Sequence, residues 1–212
     1  MKILFLGDIH GKTEFLSQIE EEFDLLVVTG DLTLHGDEKE IMRILESLKF
    51  FSHEFYSVSG NMDLKSCEPL LESFNLSLHG KGIYYQNQIG FFGCGGSSPT
   101  PFHTPNEYSE EEIFSFLKKG YQQIQEADVK IMVCHTPPQG THCDRLPNGA
   151  HVGSQKVRQF IETYQPDFCL TGHIHESIGF EEIGKSLVLN PGDFQSGRYG
   201  ILDTDKKDYL FY

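Results

Sequence analysis

Strand-sized apolar runs that end in glycine and a metal-type side chain are the feature that most limits how this sequence can fold. The first three runs are KILFLGDIHG, DLLVVTGD and HEFYSVSGN, and segments with helical spacing separate them. A strand, helix, strand, helix, strand order implies parallel strands joined by crossover helices. In an open sheet of this kind ligands bind beyond the carboxyl ends of the strands, which is where these polar residues would gather.

The rest of the chain continues the α/β pattern with one change in the middle. Short runs in LSLHGKGIYYQNQIGFFGCGG, punctuated by glycine and asparagine, predict antiparallel hairpins. VKIMVCHTPPQG and DFCLTGHIHE predict two further strands that end in polar residues, and the tail after residue 176 alternates in short strand-sized pieces. Helices are predicted over residues 12–23, 37–50, 111–127 and 153–165.

Size and charge bound the class of protein. At 212 residues the chain can bury a sizeable core, and we expect one domain spanning residues 1–212. Its 17 basic and 31 acidic side chains give a net charge of −14, which argues against binding to nucleic acid or to an anionic membrane. An anionic substrate stays possible, because bound divalent cations can invert the local field.

No segment of the sequence indicates export or membrane insertion. MKILFLGD contains four consecutive apolar residues, too few for a signal peptide, and no run approaches the roughly 20 apolar residues of a membrane span. The cysteines number five and none has C-x-x-C spacing, so neither a disulfide framework nor a zinc ribbon is indicated. Reduced thiols and a cytoplasmic location are therefore expected.

Seven residues at five predicted strand ends have side chains that bind divalent metals. D-x-H and H-x-H spacings would place both members of a pair on one side of an extended segment. The mixture of imidazole, carboxylate and amide oxygen suits Mn, Fe, Zn or Co better than Ca, and the lack of thiols argues against a structural zinc. A lone GD is usually a turn, but the succession of such pairs favours a metal site. The predicted ligands are Asp8, His10, Asp31, Asn61, His135, His173 and His175.

In order along the chain, GDIHG, GDLTLHG, GNMD, VCHTPP and TGHIHE resemble the five motifs of the calcineurin-like metallophosphoesterases. The resemblance runs from residue 7 to 176, and NPG at 190–192 fits the pattern of small bacterial and archaeal members. It implies two packed mixed β-sheets flanked by helices, in a four-layer α/β/β/α sandwich. It also implies phosphoester hydrolysis with two divalent ions, which could be Mn, Fe, Zn, Co or Ni, with Mn favoured.

The resemblance carries a role to each matching position. One ion would be held by Asp8, His10 and His175, the other by Asn61, His135 and His173, and Asp31 would bridge them. Water would then attack phosphorus in line, without a covalent enzyme intermediate. Asp31, Asn61 and His135 are thus expected to act in catalysis. Asp63 would orient a ligand, or else be a solvated turn carboxylate.

Met62 departs from the family pattern. Many members have a histidine here that protonates the leaving oxygen or stabilises charge on the phosphoryl group, and methionine does neither. General acid catalysis is typically worth about 10²–10⁴-fold, so its loss should slow poor leaving groups most. Some small prokaryotic relatives that lack this histidine look like phosphodiesterases. His103 and His142 are predicted substrate contacts that could supply another donor, the alternative being two exposed loop histidines.

The segment after the fourth motif supplies two further predicted substrate contacts. Arg145 could pair with a phosphate, and a helix beginning near Ser154 could present free amides to an anion. A capped helix and a surface salt bridge would explain the same residues equally well. The expected partner in either case is a small phosphorylated substrate, and the oligomeric state is left open.

A dinuclear metal-dependent phosphodiesterase acting on a small nucleotide-like or other diester is therefore the leading hypothesis. A phosphomonoesterase is the first alternative, and a nuclease of the same superfamily is disfavoured by the negative charge. A protein-binding scaffold is the alternative outside enzymology, since a retromer subunit with this fold has degraded metal ligation. All seven ligand positions are intact in this sequence, which favours catalysis.

Overall fold

Two mixed β-sheets and the helices on their outer faces make up the protein in a computed structural model, which describes residues 1–86 and 88–212. The helices of the described residues are α1 (Glu38–Phe51), α2 (Cys67–Ser73), α3 (Glu110–Tyr121) and α4 (Gln155–Tyr164). The strands of the same residues are β1 (Lys2–Leu6), β2 (Leu25–Val28), β3 (Phe55–Ser57), β4 (Gly82–Tyr85), β5 (Ile89–Cys94), β6 (Val129–Cys134), β7 (Phe168–Leu170), β8 (Gly179–Ile183), β9 (Ser186–Asn190), β10 (Gly200–Asp203) and β11 (Asp208–Phe211).

Each sheet combines parallel and antiparallel strands: the first has an antiparallel edge at β11 and a parallel edge at β3, and the second has antiparallel edges on both sides. The first sheet has the order β11-β10-β1-β2-β3, in which β1, β2 and β3 are parallel. The second has the order β4-β5-β6-β7-β9-β8, in which β5, β6, β7 and β9 are parallel. The C-terminal strands therefore complete both sheets, β10 and β11 in the first and β8 and β9 in the second, so the tail belongs to the same fold as the motifs.

Side-chain alternation along β1 shows how the layers form. Ile3 and Phe5 lie in a core between the two sheets, together with buried side chains of β2, β6 and β7. Leu4 and Leu6 face the opposite way, into a second core shared with α1 and α2. A third core packs α3 and α4 against the second sheet. Both faces of each parallel centre are thus buried, which is why its strands are apolar without interruption. The predicted four-layer arrangement is confirmed.

Capping explains where the predicted helices begin. The Asp37 carboxylate accepts hydrogen bonds from the amides of Lys39 and Glu40 at the start of α1. Ser109 and Glu112 form a capping box at the start of α3. The helix predicted over 12–23 is wrong, because a 3-10 helix at Glu14–Gln18 is all that forms there. Leu16 is the one fully buried side chain of that short helix, too little apolar contact to hold several helical turns.

The middle of the chain matches the expected change to antiparallel pairing. β4 and β5 form an antiparallel pair, although β5 then pairs in parallel with β6. Asn87, in the predicted turn of this hairpin, lies outside the described residues. All five cysteines are buried and free. Among the described residues, no helix combines the length and the apolar character needed to cross a bilayer.

Candidate metal-dependent active site

The carboxyl ends of five parallel strands, three from the first sheet and two from the second, bring all the predicted metal ligands to one edge of the molecule. The ligand motifs follow within a few positions of the last residues of β1, β2, β3, β6 and β7. Two groups of three side chains could each hold a metal ion, and within each group the carboxylate and imidazole ligand atoms all lie within 4.8 Å of one another. The two groups share one aspartate. The two groups are Asp8, His10 and His175, and Asp8, Asp31 and His135.

Asp31 lies between His10 and His135. Its Oδ2 is 3.7 Å from Nε2 of His10, and its Oδ1 is 3.5 Å from Nε2 of His135. The amide of Met62 also donates to Oδ1 at 2.8 Å, which fixes the carboxylate plane. With one oxygen directed to each side, Asp31 has the geometry that a bridging ligand requires.

The His10 side of Asp31 is a tight cluster of potential ligand atoms. Nε2 of His10 lies 3.3 Å from Nε2 of His175, which in turn lies 3.2 Å from Oδ1 of Asp8. Asp8 is fully buried, and both its oxygens accept hydrogen bonds from the His173 amide, at 3.2 and 3.0 Å. A carboxylate and two imidazoles therefore converge on one point.

The His135 side pairs an imidazole with an amide oxygen. Nε2 of His135 is 2.9 Å from Oδ1 of Asn61. The ring centroids of His135 and His173 are 5.1 Å apart. Nδ1 of His135 lies 2.9 Å from the carbonyl oxygen of Thr29. Donation from Nδ1 to that carbonyl leaves the Nε2 lone pair directed at the site, the arrangement found at most metal-binding histidines.

The ligands leave their strands through left-handed backbone rather than extended backbone. Asp8, His10, Asp31 and His173 have φ values of 54°, 46°, 49° and 70°. L-residues adopt this region at a cost, and such strain concentrates at functional sites. The sequence argument that D-x-H and H-x-H pairs lie on extended segments is therefore wrong, although the side chains do converge.

Two glycines allow the turns to approach one another. A Cβ at Gly60 would collide with the amide nitrogen and Oδ1 of Asp31. Gly30 has φ of +115°, and a Cβ there would lie 2.5 Å from Nδ1 of His135. The glycines before Asp31 and Asn61 are thus required by the closeness of the neighbouring turn and, at Gly30, also by the positive φ.

Asp63 ties two of the ligand turns together. It is fully buried and accepts hydrogen bonds from the amides of Leu32, Thr33 and Gly60, at 3.1, 2.8 and 2.8 Å. The hydroxyl of Thr33 donates a fourth at 2.9 Å. The solvated-carboxylate alternative is excluded. Asp63 holds the backbone beside Asp31 and Asn61, so any influence on the ligands passes through the main chain.

The electrostatics of the site suit cation binding. Burial would raise the pKa of Asp31, but the imidazoles of His135 and His10 outweigh it, and the pKa lies below its ordinary value. Burial would lower the pKa of His135, whereas the neighbouring Asp31 raises it to about 9. Burial, then the charge of His135, lowers the pKa of His173 to about 4. Burial would lower the pKa of His175 as well, but the neighbouring Asp8 raises it, so cation binding would have to displace protons from His135 and His175.

The donor set fits the divalent ions that the sequence predicts. The close ligand atoms come from three imidazoles and two carboxylates, together with the amide oxygen of Asn61, and the ring of His173 lies beside that of His135. These nitrogen and oxygen donors suit Mn, Fe, Zn, Co and Ni. The second ring nitrogen of His135 is taken by a backbone carbonyl, which orients that imidazole before any ion arrives.

A cavity of about 880 Å³ opens beside the ligands. Asn61, Met62 and His173 contribute to its inner wall, and the predicted contact His103 lines its outer part. His35 also lines it, and the sequence argument missed this residue. The amide of His35 donates to the carbonyl of Met62 at 3.0 Å, so GDLTLHG and GNMD are adjacent. The position of His35 in the cavity wall follows from this contact between the two turns, which the sequence alone does not show.

Two predicted substrate contacts lie elsewhere. His142 is exposed, and its Nδ1 pairs with Oε2 of Glu181 at 2.7 Å, on a different surface depression. Arg145 is exposed and is absent from the described lining of the cavity. Both predictions are corrected by the course of the loop, which turns these side chains to the surface while Leu146 lines the cavity.

Ser154 is a helix cap. It is fully buried, and its hydroxyl accepts from the Val157 amide at 3.1 Å while donating to Glu110 at 2.5 Å. The Glu110 carboxylate also accepts from the amides of Gln155 and Lys156, at 3.3 and 2.9 Å. An internal carboxylate therefore occupies the amides predicted to bind phosphate, and the capped-helix alternative is confirmed.

Comparisons with known proteins agree with this geometry. The family model for calcineurin-like phosphoesterases matches residues 1–177. The uncharacterized protein MJ1162 of Methanocaldococcus jannaschii is 38% identical over 211 residues, covering 97% of this chain and 93% of that protein.

Solved structures share the fold at lower identity. The protein TT1561 of Thermus thermophilus has a TM-score of 0.79 at 21% identity, covering 100% of this chain and 97% of that one. A structure described as a novel archaeal phosphodiesterase has a TM-score of 0.54 at 17% identity, covering 100% and 99% of the two chains.

Proposed function

Because the chain belongs to the calcineurin-like phosphoesterase family, whose members use divalent metals, we propose that it hydrolyses phosphodiesters with two cations held at the strand ends. The observation that carries the proposal is the position of Asp31, with one carboxylate oxygen toward His10 and the other toward His135. A shared carboxylate with imidazoles on both sides is suited to two ions about 3.5–4 Å apart.

The protein groups act mainly by positioning. When bound, the two cations supply Lewis acidity, which activates water and neutralises charge on the phosphoryl oxygens. The four hydrogen bonds to Asp63 keep the Asp31 and Asn61 turns in register. The amide oxygen of Asn61 adds no negative charge, so the cations stay more electrophilic than beside another carboxylate.

A diester preference follows from Met62. Its thioether has no proton to give to a leaving oxygen, so substrates with good leaving groups are favoured. Met62 is partly buried and lies in the cavity wall beside Asn61, which is where a proton donor would be needed. His35 and His103, which line the same cavity, are the imidazoles available for a phosphomonoesterase.

The nuclease and scaffold hypotheses have less support. A nuclease would meet an overall charge of −14. A protein scaffold would not need seven intact ligand positions, four of them in left-handed backbone. The left-handed backbone at these four residues costs energy, and ion binding by their side chains would explain why that cost is tolerated.

The test is hydrolysis of bis-p-nitrophenyl phosphate and p-nitrophenyl phosphate by protein stripped with a chelator and reloaded with Mn²⁺. Much faster cleavage of the diester is the expected result. Faster cleavage of the monoester would keep the metal site and refute the diester preference. Failure to cleave either compound, with Mn²⁺ binding shown by calorimetry, would refute the proposed hydrolase.

A further inference from the structure

The cavity beside the ligands is much larger than a phosphoryl group. Its volume of about 880 Å³ is within the range of sites that enclose whole small molecules. Asn61 and His173 mark the end where the reacting phosphorus would lie. The remaining space must belong to an organic group of the substrate, or to water.

Apolar side chains from two loops form the walls of that space. Pro99, Pro101 and Phe102 come from the 98–104 loop, and Leu146 and Val152 from the 144–153 loop on the other side. Phe102 is 83% exposed, so its ring is free to contact a ligand. Met62 continues the apolar surface to the metal-ligand end.

Both loops are held in place before a ligand arrives. Oε1 of Glu107 accepts hydrogen bonds from the amide and hydroxyl of Thr104 and from the hydroxyl of Thr100, each at 2.7 Å. Buried Asp144 accepts from the amides of Gly140, Thr141 and Gly153, at 3.1, 2.8 and 2.9 Å. A preformed wall lowers the entropy cost of binding an apolar group.

The charges around the cavity disfavour a second anionic group. No lysine or arginine is found among its described lining residues, whereas Glu110 and Glu176 are. Glu110 is engaged with the start of α4, and Glu176 is exposed. An additional phosphate or carboxylate would lose hydration, meet no lysine or arginine among these lining residues and face a carboxylate.

We propose that the substrate has one phosphoester anion and an uncharged, largely apolar organic group that lies between the 98–104 and 144–153 loops. The proposal rests on the proposed function and narrows its substrate class. Polyphosphates, oligonucleotides and phosphoproteins do not belong to this class. It includes aryl and medium-chain alkyl diesters, either free in solution or as single-chain amphiphiles.

The test uses alkyl p-nitrophenyl phosphates with methyl, butyl, hexyl and dodecyl groups, and a 5-carboxypentyl ester of similar length. In every case water oxygen bonds to phosphorus, the bond to p-nitrophenolate breaks with its electron pair, and the attacking water loses its proton to solvent. The leaving group is constant, so differences in kcat/KM report the other group. We expect the hexyl ester to exceed the methyl ester at least tenfold, since each buried methylene is worth about fourfold in binding.

The kcat/KM of the 5-carboxypentyl ester should be at least tenfold lower than that of the hexyl ester. Its carboxylate must lose water with no lysine or arginine in the described lining to pair with it. A plateau beyond hexyl identifies a free molecule. A further rise for the dodecyl ester that begins at its micelle concentration identifies an amphiphile. Either result supports the apolar class.

Two exposed phenylalanines provide the matched variants. Phe102→Ala should reduce the advantage of hexyl over methyl about threefold or more, while Phe50→Ala should not change it, since Phe50 is 96% exposed on α1 and outside the lining. Glu176→Lys should raise kcat/KM for the 5-carboxypentyl ester several-fold relative to kcat/KM for the hexyl ester, because it replaces a carboxylate in the lining with a cation.

The outcomes separate this proposal from the proposed function. Equal kcat/KM for all esters, or a preference for the 5-carboxypentyl ester, would overturn the apolar class and keep the phosphodiesterase. An unchanged hexyl preference in Phe102→Ala would remove the 98–104 loop from the site. If no ester, including the methyl one, is hydrolysed by Mn²⁺-loaded protein, the proposed function itself fails.

Discussion

The ligand cluster and the cavity wall lie side by side, yet they are built in opposite ways. The cluster consists of buried polar side chains on short turns at strand ends, several with left-handed backbone. The wall consists of partly exposed apolar side chains on two longer loops. The cluster is suited to one kind of chemistry on many substrates, whereas the wall selects among substrates, since loops vary more readily than strand ends.

Two buried carboxylates make the comparison concrete. Asp63 and Asp144 are both fully buried, and each accepts hydrogen bonds from three backbone amides. Asp63 holds the turns that carry metal ligands, and Asp144 holds the loop that carries Leu146 and Val152. The same device thus positions the chemical step in one region and substrate selection in the other.

The largest effect should come from removing a ligand. We expect His173→Ala and Asp31→Ala to lower kcat on every diester by about 10³-fold or more, the loss of several kcal/mol of charge stabilisation. Circular dichroism should show the fold retained, and His53→Ala, at an exposed position, is the matched control. Normal turnover by both ligand variants would disprove the dinuclear site.

Changing Asp63 and Asp144 to asparagine, one at a time, should affect activity in different ways. Asp63→Asn should lower kcat about 10–100-fold for all substrates, as for other residues that orient metal ligands. Asp144→Asn should instead reduce the preference for the hexyl ester, with kcat on the methyl ester within about threefold.

Urea unfolding provides the control for this pair. The free energy of unfolding of each variant should fall by about 1–3 kcal/mol. The reason is that a backbone N–H now faces the NH2 group of asparagine, a donor, where it faced a carboxylate oxygen. Uniform loss of kcat in both variants would mean that the two regions are not separable.

Adding a proton donor to the wall should reduce the difference in kcat/KM between diesters with good and with poor leaving groups. Met62→His should raise kcat/KM on diphenyl phosphate about tenfold, and change bis-p-nitrophenyl phosphate less than about threefold, since p-nitrophenolate needs little protonation. Met62→Leu is the apolar control. Equal gains on both compounds would indicate a change in binding rather than proton donation.

The smallest effects should come from the loop positions that the structure places away from the cavity. His142→Ala and Arg145→Ala should each leave kcat/KM on the diesters within about twofold, because His142 pairs with Glu181 and Arg145 is exposed. A tenfold loss in steady-state assays would show that the 144–153 loop moves when substrate binds.

Most of the fold and of the ligand set could be predicted because both depend on local patterns. Uninterrupted apolar runs identify strands buried on both faces, and glycine followed by a polar ligand marks the carboxyl end of each. The helix at 12–23 could not be predicted correctly, since its acidic positions allow a helix on propensity, but little apolar surface is buried there.

The substrate side was predicted less well, because it depends on contacts between distant segments. Ser154 and Arg145 have the side chains of a phosphate site, but Glu110, far earlier in the chain, occupies the amides beside Ser154. His35 joins the cavity through a backbone hydrogen bond to Met62, which no sequence spacing reveals.

By itself the sequence determined the order of strands and helices, the seven candidate ligands and the absence of a proton donor at Met62, since each follows from periodicity or residue chemistry; the two-sheet architecture came from the resemblance of its motifs to a known family. Tertiary structure decided how the ligands meet, through left-handed turns and the position of Asp31 between His10 and His135. It also decided that a largely apolar cavity lies beside them, with no lysine or arginine among its described lining residues. The physical reason is that loop positions are set by long-range hydrogen bonds, such as those to Asp63, Glu107, Glu110 and Asp144, whose partners lie on separate turns.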